Sequence, residues 1–184
     1  VAWLSERINP NLPRWISLLT LVAGLLYLVT IIGDIPTANF TLAPDIGSTT
    51  NWLLHWRLDW IPRFGISIEL GMDGLSLLLV VLTLLLGLVA VAASWTKINF
   101  KTGLFQANLL WTLAGVSGVF LAMDLFLFFV FWEIMLVPMY LLIAIWGHEN
   151  KGYAAMKFFI FTQVSGLLML LSIVMLAWHG STVN

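Results

Sequence analysis

The sequence contains no cysteine and few charged residues. With no thiol among its 184 residues, it can form neither a disulfide bond, a thiolate zinc site nor a cysteine-held iron–sulfur cluster. Charged residues amount to 9%, whereas about a quarter of an ordinary globular domain is charged. Because 61% of the residues are hydrophobic and the mean hydropathy is +1.00, a water-soluble fold is not expected.

The few charges also lack a dominant sign. Eight Lys+Arg residues stand against nine Asp+Glu residues, a formal net charge of -1, so no basic field would attract nucleic acid. The three histidines are scattered, and the sequence offers no Gly-rich phosphate loop, metal-ligand cluster or Ser/His/Asp set. We therefore predict no nucleic-acid partner, and neither a metal nor a cofactor held by this chain.

Long uncharged apolar stretches recur along the chain. A bilayer core of about 30 Å requires about 20 apolar residues in a helix, and lipid cannot satisfy the open backbone hydrogen bonds of other conformations. The sequence thus predicts an all-α membrane protein, one membrane domain over residues 1–184 with an extramembrane loop at 33–74. A short apolar stub at 1–4 is interpreted as the end of a further helix. The five predicted spans are roughly 15–32, 75–93, 103–123, 125–146 and 158–178.

Basic residues cluster at alternate ends of these spans. Cytoplasmic loops carry an excess of Lys and Arg, so the segments bearing these residues are predicted on the cytoplasmic side, or its topological equivalent. The corner after span three holds only Asp124, which suits the opposite side, and Asp73 is interpreted as a helix cap before span two. The basic residues are Arg7 and Arg14 before span one, Lys97 and Lys101 between spans two and three, and Lys151 and Lys157 after span four.

The extramembrane loop has two local patterns. Trp52, Trp56 and Trp60 recur every four residues, and an alternating apolar/polar run follows at 66–70. We predict an interfacial half-helix followed by a short strand. An aromatic belt at the level of the lipid headgroups is the preferred interpretation of the tryptophans, and a binding role is the alternative.

Glu133 is the only charged residue within the predicted spans. It lies nine positions after Asp124, which at the helical rise places it about 13 Å into the membrane, near the centre. Insertion scales assign comparable charges there a cost of about 2.5–3.5 kcal/mol. We favour a proton-relay group; the alternative is an interhelical hydrogen bond made by a protonated acid.

Pro138 and Tyr140 follow Glu133 on the same predicted helix. In mid-helix, Pro138 has no N–H for the carbonyl of Ile134, and a freed carbonyl near a carboxylate can hold water. Tyr140 lies seven residues after Glu133 and therefore on the same helix face. It would extend a polar track from Glu133, or anchor the helix at the membrane interface, which is the commoner role.

Two further candidates lie beyond span four. Lys157 stands at the start of span five, where it either extends its ammonium to the interface or turns inward as a partner or relay for Glu133, with Gln163 continuing that route. His148 can exchange protons near neutral pH, although a solvated loop histidine is the simpler interpretation. The predicted relay set is thus Glu133, with Lys157, His148 and Tyr140 as weaker members.

Several segments resemble the antiporter-like membrane subunits of NADH:quinone oxidoreductase, respiratory complex I. The likeness covers essentially all 184 residues. It includes residues 61–68, 144–148 and 157–163, and its most specific motifs are Met72-Asp73-Gly74-Leu75-Ser76 and Trp132-Glu133 followed by Pro138-Met139-Tyr140.

The resemblance implies a fourteen-helix fold built from two inverted five-helix repeats, of which this chain would be a fragment. Glu133 matches the family's fifth-helix glutamate, which pairs with a lysine on the seventh helix and takes part in proton translocation. That lysine is absent from these residues, and the first helix is represented only by residues 1–4. The resemblance also implies that other subunits bind NADH, flavin, iron–sulfur clusters and quinone.

The predicted function is therefore that of a proton-translocating subunit that couples electron transfer from NADH to quinone to proton pumping. Its partners would be lipid and other membrane subunits of complex I, in the inner membrane of a bacterium. One alternative is a subunit of a cation/proton antiporter or a membrane-bound hydrogenase of the same superfamily. Another is a non-transporting structural module in which Glu133 joins helices.

Overall fold

A computed structural model of the chain describes residues 9, 11–34, 53–61 and 66–183. Within these residues, five helices are long and apolar enough to cross a membrane, which confirms the predicted number of spanning helices. Residues 1–4, Arg7 and Trp52 lie outside the described part of the chain. The helices are α1 (Leu12–Asp34), α2 (Gly74–Lys97), α3 (Thr102–Leu121), α4 (Leu125–Trp146) and α5 (Lys151–Val183).

Aspartates begin two of the helices. The Asp73 carboxylate accepts a hydrogen bond from the backbone N–H of Ser76 at 2.7 Å, which confirms the predicted cap of α2. Asp124 begins α4 in the same way and accepts from the N–H of Phe126 at 3.0 Å. Each carboxylate satisfies an amide that the first helical turn leaves free, and its charge favours the positive end of the helix dipole.

One end of the bundle collects the basic segments. The buried Arg14 guanidinium donates to the carbonyl of Ile98 at 2.7 Å, so the start of α1 is fastened to the α2–α3 linker. Trp146 Nε1, at the end of α4, donates to the carbonyl of Phe100 in the same linker at 2.9 Å. These contacts place the basic segments together, as the alternation of the spans predicts. We call this the basic end; it bears Arg14, Lys97, Lys101, Lys151 and Lys157.

A two-stranded antiparallel hairpin lies at the opposite end, which we call the hairpin end. Its strands are β1 (Leu54–Ile61) and β2 (Ile66–Met72), with His55 Nε2 and Glu69 Oε1 2.7 Å apart across them. The backbone N–H of Met123 donates to the carbonyl of Glu69 at 3.1 Å and joins β2 to the α3–α4 corner. Leu28, Met72 and Leu77 are buried together beneath it, so the hairpin is part of the packed structure.

The predicted short strand is confirmed by β2, but the predicted half-helix is wrong. Trp56 and Trp60 lie on β1 instead. A spacing of four residues keeps side chains on one face in a strand as well as approximately in a helix, so the tryptophans alone do not distinguish the two. From Leu54 to Asp59 the sequence alternates apolar and polar residues, and pairing with β2 satisfies the backbone hydrogen bonds that a strand requires.

The helices pack in a simple order. α1 lies against α2 and α3, α3 lies against α4, and α4 lies against α5. Many large apolar side chains of α5 remain exposed, including Leu167, Leu171 and Val174. Because an apolar helix face in a membrane can meet either lipid or another helix, this face is compatible with both surroundings.

Candidate functional site

Glu133 lies near the middle of α4, within the membrane-spanning part of the structure. The residue as a whole is half-buried, but its carboxylate oxygen Oε1 is buried and has no hydrogen-bond partner among the described residues. A buried polar oxygen without a partner carries a free-energy cost of about 1–3 kcal/mol, and more when it is charged. Among the candidate residues predicted from the sequence, Glu133 is therefore the one with a buried side-chain oxygen that lacks a hydrogen-bond partner among the described residues.

The direction of the Glu133 side chain follows from how α4 packs. Phe131 and Met135, which are four residues apart, lie on glycines of α3: a Cβ added at Gly115 would come 2.8 Å from Met135 Cβ, and one at Gly118 would overlap the Phe131 ring. Glu133 lies between them in sequence and therefore points to another side of the helix. That side is covered by α5, where the carboxylate lies directly against Gly166.

Pro138 is fully buried inside α4, and the helix continues past it to Trp146. Because proline has no N–H, the carbonyl of Ile134, the residue directly after Glu133, loses its usual helical donor. The sequence-based expectation of a proline within the helix that bears the carboxylate is therefore confirmed. Whether the freed carbonyl holds water stays a prediction.

Tyr140 shares the α5-facing side of α4 with Glu133. Its ring packs edge-on against Phe159 at a centroid distance of 5.6 Å, and its hydroxyl lies 3.9 Å from Met156 Sδ. Thioether sulfur is a weak acceptor, so this contact leaves the hydroxyl able to exchange partners. The common face is as predicted, while a role of Tyr140 in a polar track stays a prediction.

The structure does not bring Lys157 or His148 to Glu133. Lys157 is exposed near the basic end, with its ammonium 5.9 Å from the centroid of the Tyr153 ring. It precedes Gly166 by nine residues, which at about 100° per residue puts it on the opposite side of α5 from the carboxylate. His148 is exposed just beyond α4. Gln163, one turn before Gly166, is half-buried.

Sequence reasoning missed the glycines that face α4. Gly115, Gly118 and Gly166 lie inside apolar spans; the first two allow α3 to come close to α4, and Gly166 faces the Glu133 carboxylate. Small residues within a membrane span are a known sign of helix–helix contact, so the signal was present. Among the described residues, no three His, Cys, Asp or Glu side chains are grouped to hold a metal.

Comparison with known proteins finds similar sequences and a similar fold. Residues 122–184, which contain α4 and α5, match the family described as "NADH:quinone oxidoreductase/Mrp antiporter, TM". The fold is similar to a chain in the structure of the membrane-bound sulfane sulfur reductase, an archaeal respiratory membrane complex, with a TM-score of 0.68. That match covers 93% of this chain and 24% of the other at 20% identity. The protein is thus a multi-pass helical membrane protein whose helices α4 and α5 are similar to the antiporter-like family.

More particularly, the chain is homologous to subunit M of NADH-quinone oxidoreductase. The Pseudomonas aeruginosa subunit is 53% identical over 179 residues, which are 94% of this chain and 35% of that protein. The Escherichia coli K12 subunit is 49% identical over 183 residues, 97% of this chain and 35% of that protein. The chain therefore spans about a third of the length of these relatives, and the resemblance seen in its motifs is confirmed.

Proposed function

We propose that the chain forms part of a proton-translocating membrane subunit of NADH:quinone oxidoreductase, with Glu133 as its relay carboxylate. The observation that carries the proposal is the position of Glu133, whose buried Oε1 has no partner among the described residues in mid-membrane. Electron transfer takes place in other subunits, which bind NADH, flavin, iron–sulfur clusters and quinone. The partners of the present chain are the other membrane subunits of the complex and the surrounding lipid.

The relay works through the cost of a charge in the membrane. An ionised carboxylate at mid-membrane costs about 2.5–3.5 kcal/mol unless a positive charge lies nearby. When a basic side chain approaches, Glu133 can release its proton, and when that charge withdraws, Glu133 takes up another. Lys157 lies on the far side of α5 from Gly166, and the resemblance implies that the basic side chain is a lysine of a later helix, beyond these 184 residues.

A chimeric subunit tests the proposal. Residues 12–183 replace the matching segment of the Escherichia coli subunit M, which is 49% identical to this chain. We expect the chimera to restore NADH-driven proton pumping in membrane vesicles of a strain that lacks subunit M. Vesicles carrying the wild-type E. coli subunit provide the reference rate. An assembled chimeric complex that oxidises NADH without pumping protons would contradict the proposal.

A cation/proton antiporter subunit is the second candidate, because the description of the matching family names both NADH:quinone oxidoreductase and the Mrp antiporter. The same carboxylate would then exchange H⁺ for Na⁺ without NADH. Sodium-dependent proton release from vesicles in the absence of NADH favours this second function. Neighbouring genes for respiratory-chain subunits favour the first.

The orientation of the basic end forms part of the proposal. The excess of Lys and Arg supports a cytoplasmic position for this end, including the segment before α1, at the bacterial inner membrane. Because the chain has no cysteine, a single Leu58→Cys or Glu149→Cys substitution gives a clean label in a full-length subunit freed of other cysteines. Leu58 is an exposed residue at the hairpin end, and Glu149 is an exposed residue at the basic end.

A membrane-impermeant maleimide added to spheroplasts should label the Leu58→Cys subunit and leave the Glu149→Cys subunit unlabelled. After the cells are broken open, both should react. The reverse pattern in intact spheroplasts would invert the assigned orientation.

A further inference from the structure

Gly166 of α5 provides the space that the Glu133 carboxylate occupies. A Cβ added to Gly166 would overlap Glu133 Oε1 and lie 3.2 Å from its Cδ. The ring of Phe129, one turn before Glu133 on α4, would be 3.9 Å away. The carboxylate is therefore the group that fills the place of the missing side chain.

The other interhelical glycines differ in what they face. At Gly115 an added Cβ would meet Met135 Cβ at 2.8 Å and its Cα at 3.6 Å. Those atoms are fixed to the α4 backbone, so the two helices would have to separate. At Gly166 the obstructing atom is the far end of a flexible side chain, which can rotate away while the helices stay in place.

Along α5, Gly152 provides the opposite case. A Cβ added there has no atom within 4 Å, and the residue is exposed in the first turn of the same helix. Gly152 is therefore not needed for the contact between α5 and α4. At position 166, a glycine matters because the Glu133 carboxylate lies opposite it.

We propose that Gly166 is a positioning residue for Glu133: the recess left by its absent side chain holds the relay carboxylate at the α4–α5 interface. The inference rests on the function proposed for Glu133. With a methyl group in the recess, the carboxylate turns to another rotamer and its distance to an incoming charge changes. Proton transfer requires the two groups to come within hydrogen-bond reach, and misplacement by 1 Å can cost about a hundredfold in rate.

The test uses Gly166→Ala in the full-length chimeric subunit, within the assembled complex. We expect proton pumping per NADH oxidised, or NADH oxidation itself, to fall about tenfold, given the sensitivity of such steps to position. Assembly of the complex should be unchanged, because only a side chain has to move. Gly152→Ala on the same helix is the matched control and should pump normally.

Infrared difference spectroscopy reports the carboxyl group directly. The bands of Glu133 are those that disappear in Glu133→Gln, and we expect Gly166→Ala to shift them. Gly115→Ala disturbs the packing of α4 on its other side and should leave these bands in place. A rescue variant uses side-chain length: Glu133→Asp shortens the side chain by about 1.5 Å, one carbon–carbon bond. When Gly166→Ala is added to Glu133→Asp, the carboxyl bands of residue 133 should therefore shift less than they do when Gly166→Ala is added to the wild type.

Each contrary result has a definite meaning. Unmoved Glu133 bands in Gly166→Ala, equal band shifts in Gly115→Ala, or loss of assembly in Gly166→Ala would each overturn the positioning role. Full pumping by Glu133→Gln would instead overturn the proposed function and leave the carboxylate recess standing. The two failures are therefore distinguishable.

Discussion

Glu133→Gln in the assembled chimeric complex is expected to lower NADH-driven proton pumping at least tenfold, because a positioned proton-transfer group typically contributes a factor of about 10²–10⁴. Glutamine has nearly the same size and shape as glutamic acid, so the contact of residue 133 with Gly166 on α5 is retained. The amide, however, neither takes up nor releases a proton at physiological pH. The measurement is the rate of proton uptake by inverted vesicles, divided by the amount of assembled complex.

The same substitution separates a relay from a structural role. A protonated carboxyl that only joins two helices acts as a hydrogen-bond donor and acceptor, and an amide supplies both. Glutamine would therefore support full activity if Glu133 were a structural residue. Glu149→Gln, which removes an exposed acid just beyond α4, is the control for loss of one negative charge and should pump normally. Undiminished pumping by Glu133→Gln would contradict the relay.

Gly118→Ala should destabilise the contact between α3 and α4. A Cβ at this position would overlap the Phe131 ring and lie 2.6 Å from its Cγ. Because that ring is packed between the two helices, it has to change rotamer or push them apart. Overpacking of this kind typically costs about 1–3 kcal/mol. The midpoint of thermal inactivation of the purified complex, measured through NADH oxidation, should fall accordingly.

The control for this effect is Gly152→Ala, at an open position in a helix of the same bundle. Alanine there meets no atom, and it favours a helix over glycine by about 1 kcal/mol. The inactivation midpoint should therefore stay level or rise. A midpoint for Gly118→Ala equal to that of Gly152→Ala would show that Phe131 moves aside without cost.

The cap at the start of α2 could be predicted from the sequence. Asp73 caps α2 as expected, because capping depends on a short polar side chain within three residues of the helix start. The two tryptophans of β1 show the limit of such reasoning. A spacing of four suits a helix and a strand alike, and only the pairing of Leu54–Ile61 with Ile66–Met72 determines which one forms.

The candidate site was predicted less completely. Glu133 was identified because a single carboxylate in an apolar span carries a large energetic cost. Tyr140 was correctly placed on the same face, since both residues belong to one helix and the helical repeat relates them. Lys157 and Gly166 belong to another helix, and which of them faces Glu133 depends on how far α5 is rotated about its axis.

By itself, the sequence determined that Glu133 lies near the middle of an apolar helix and that five apolar segments form helices long enough to span a membrane. Span length and depth are properties of one continuous segment, so local hydrophobicity and the helical rise are enough to predict them. Only the tertiary structure decided that the carboxylate lies against Gly166 and that Lys157 is turned away from it. These facts depend on the rotation and register of α4 against α5, which are set by close packing between residues about thirty positions apart.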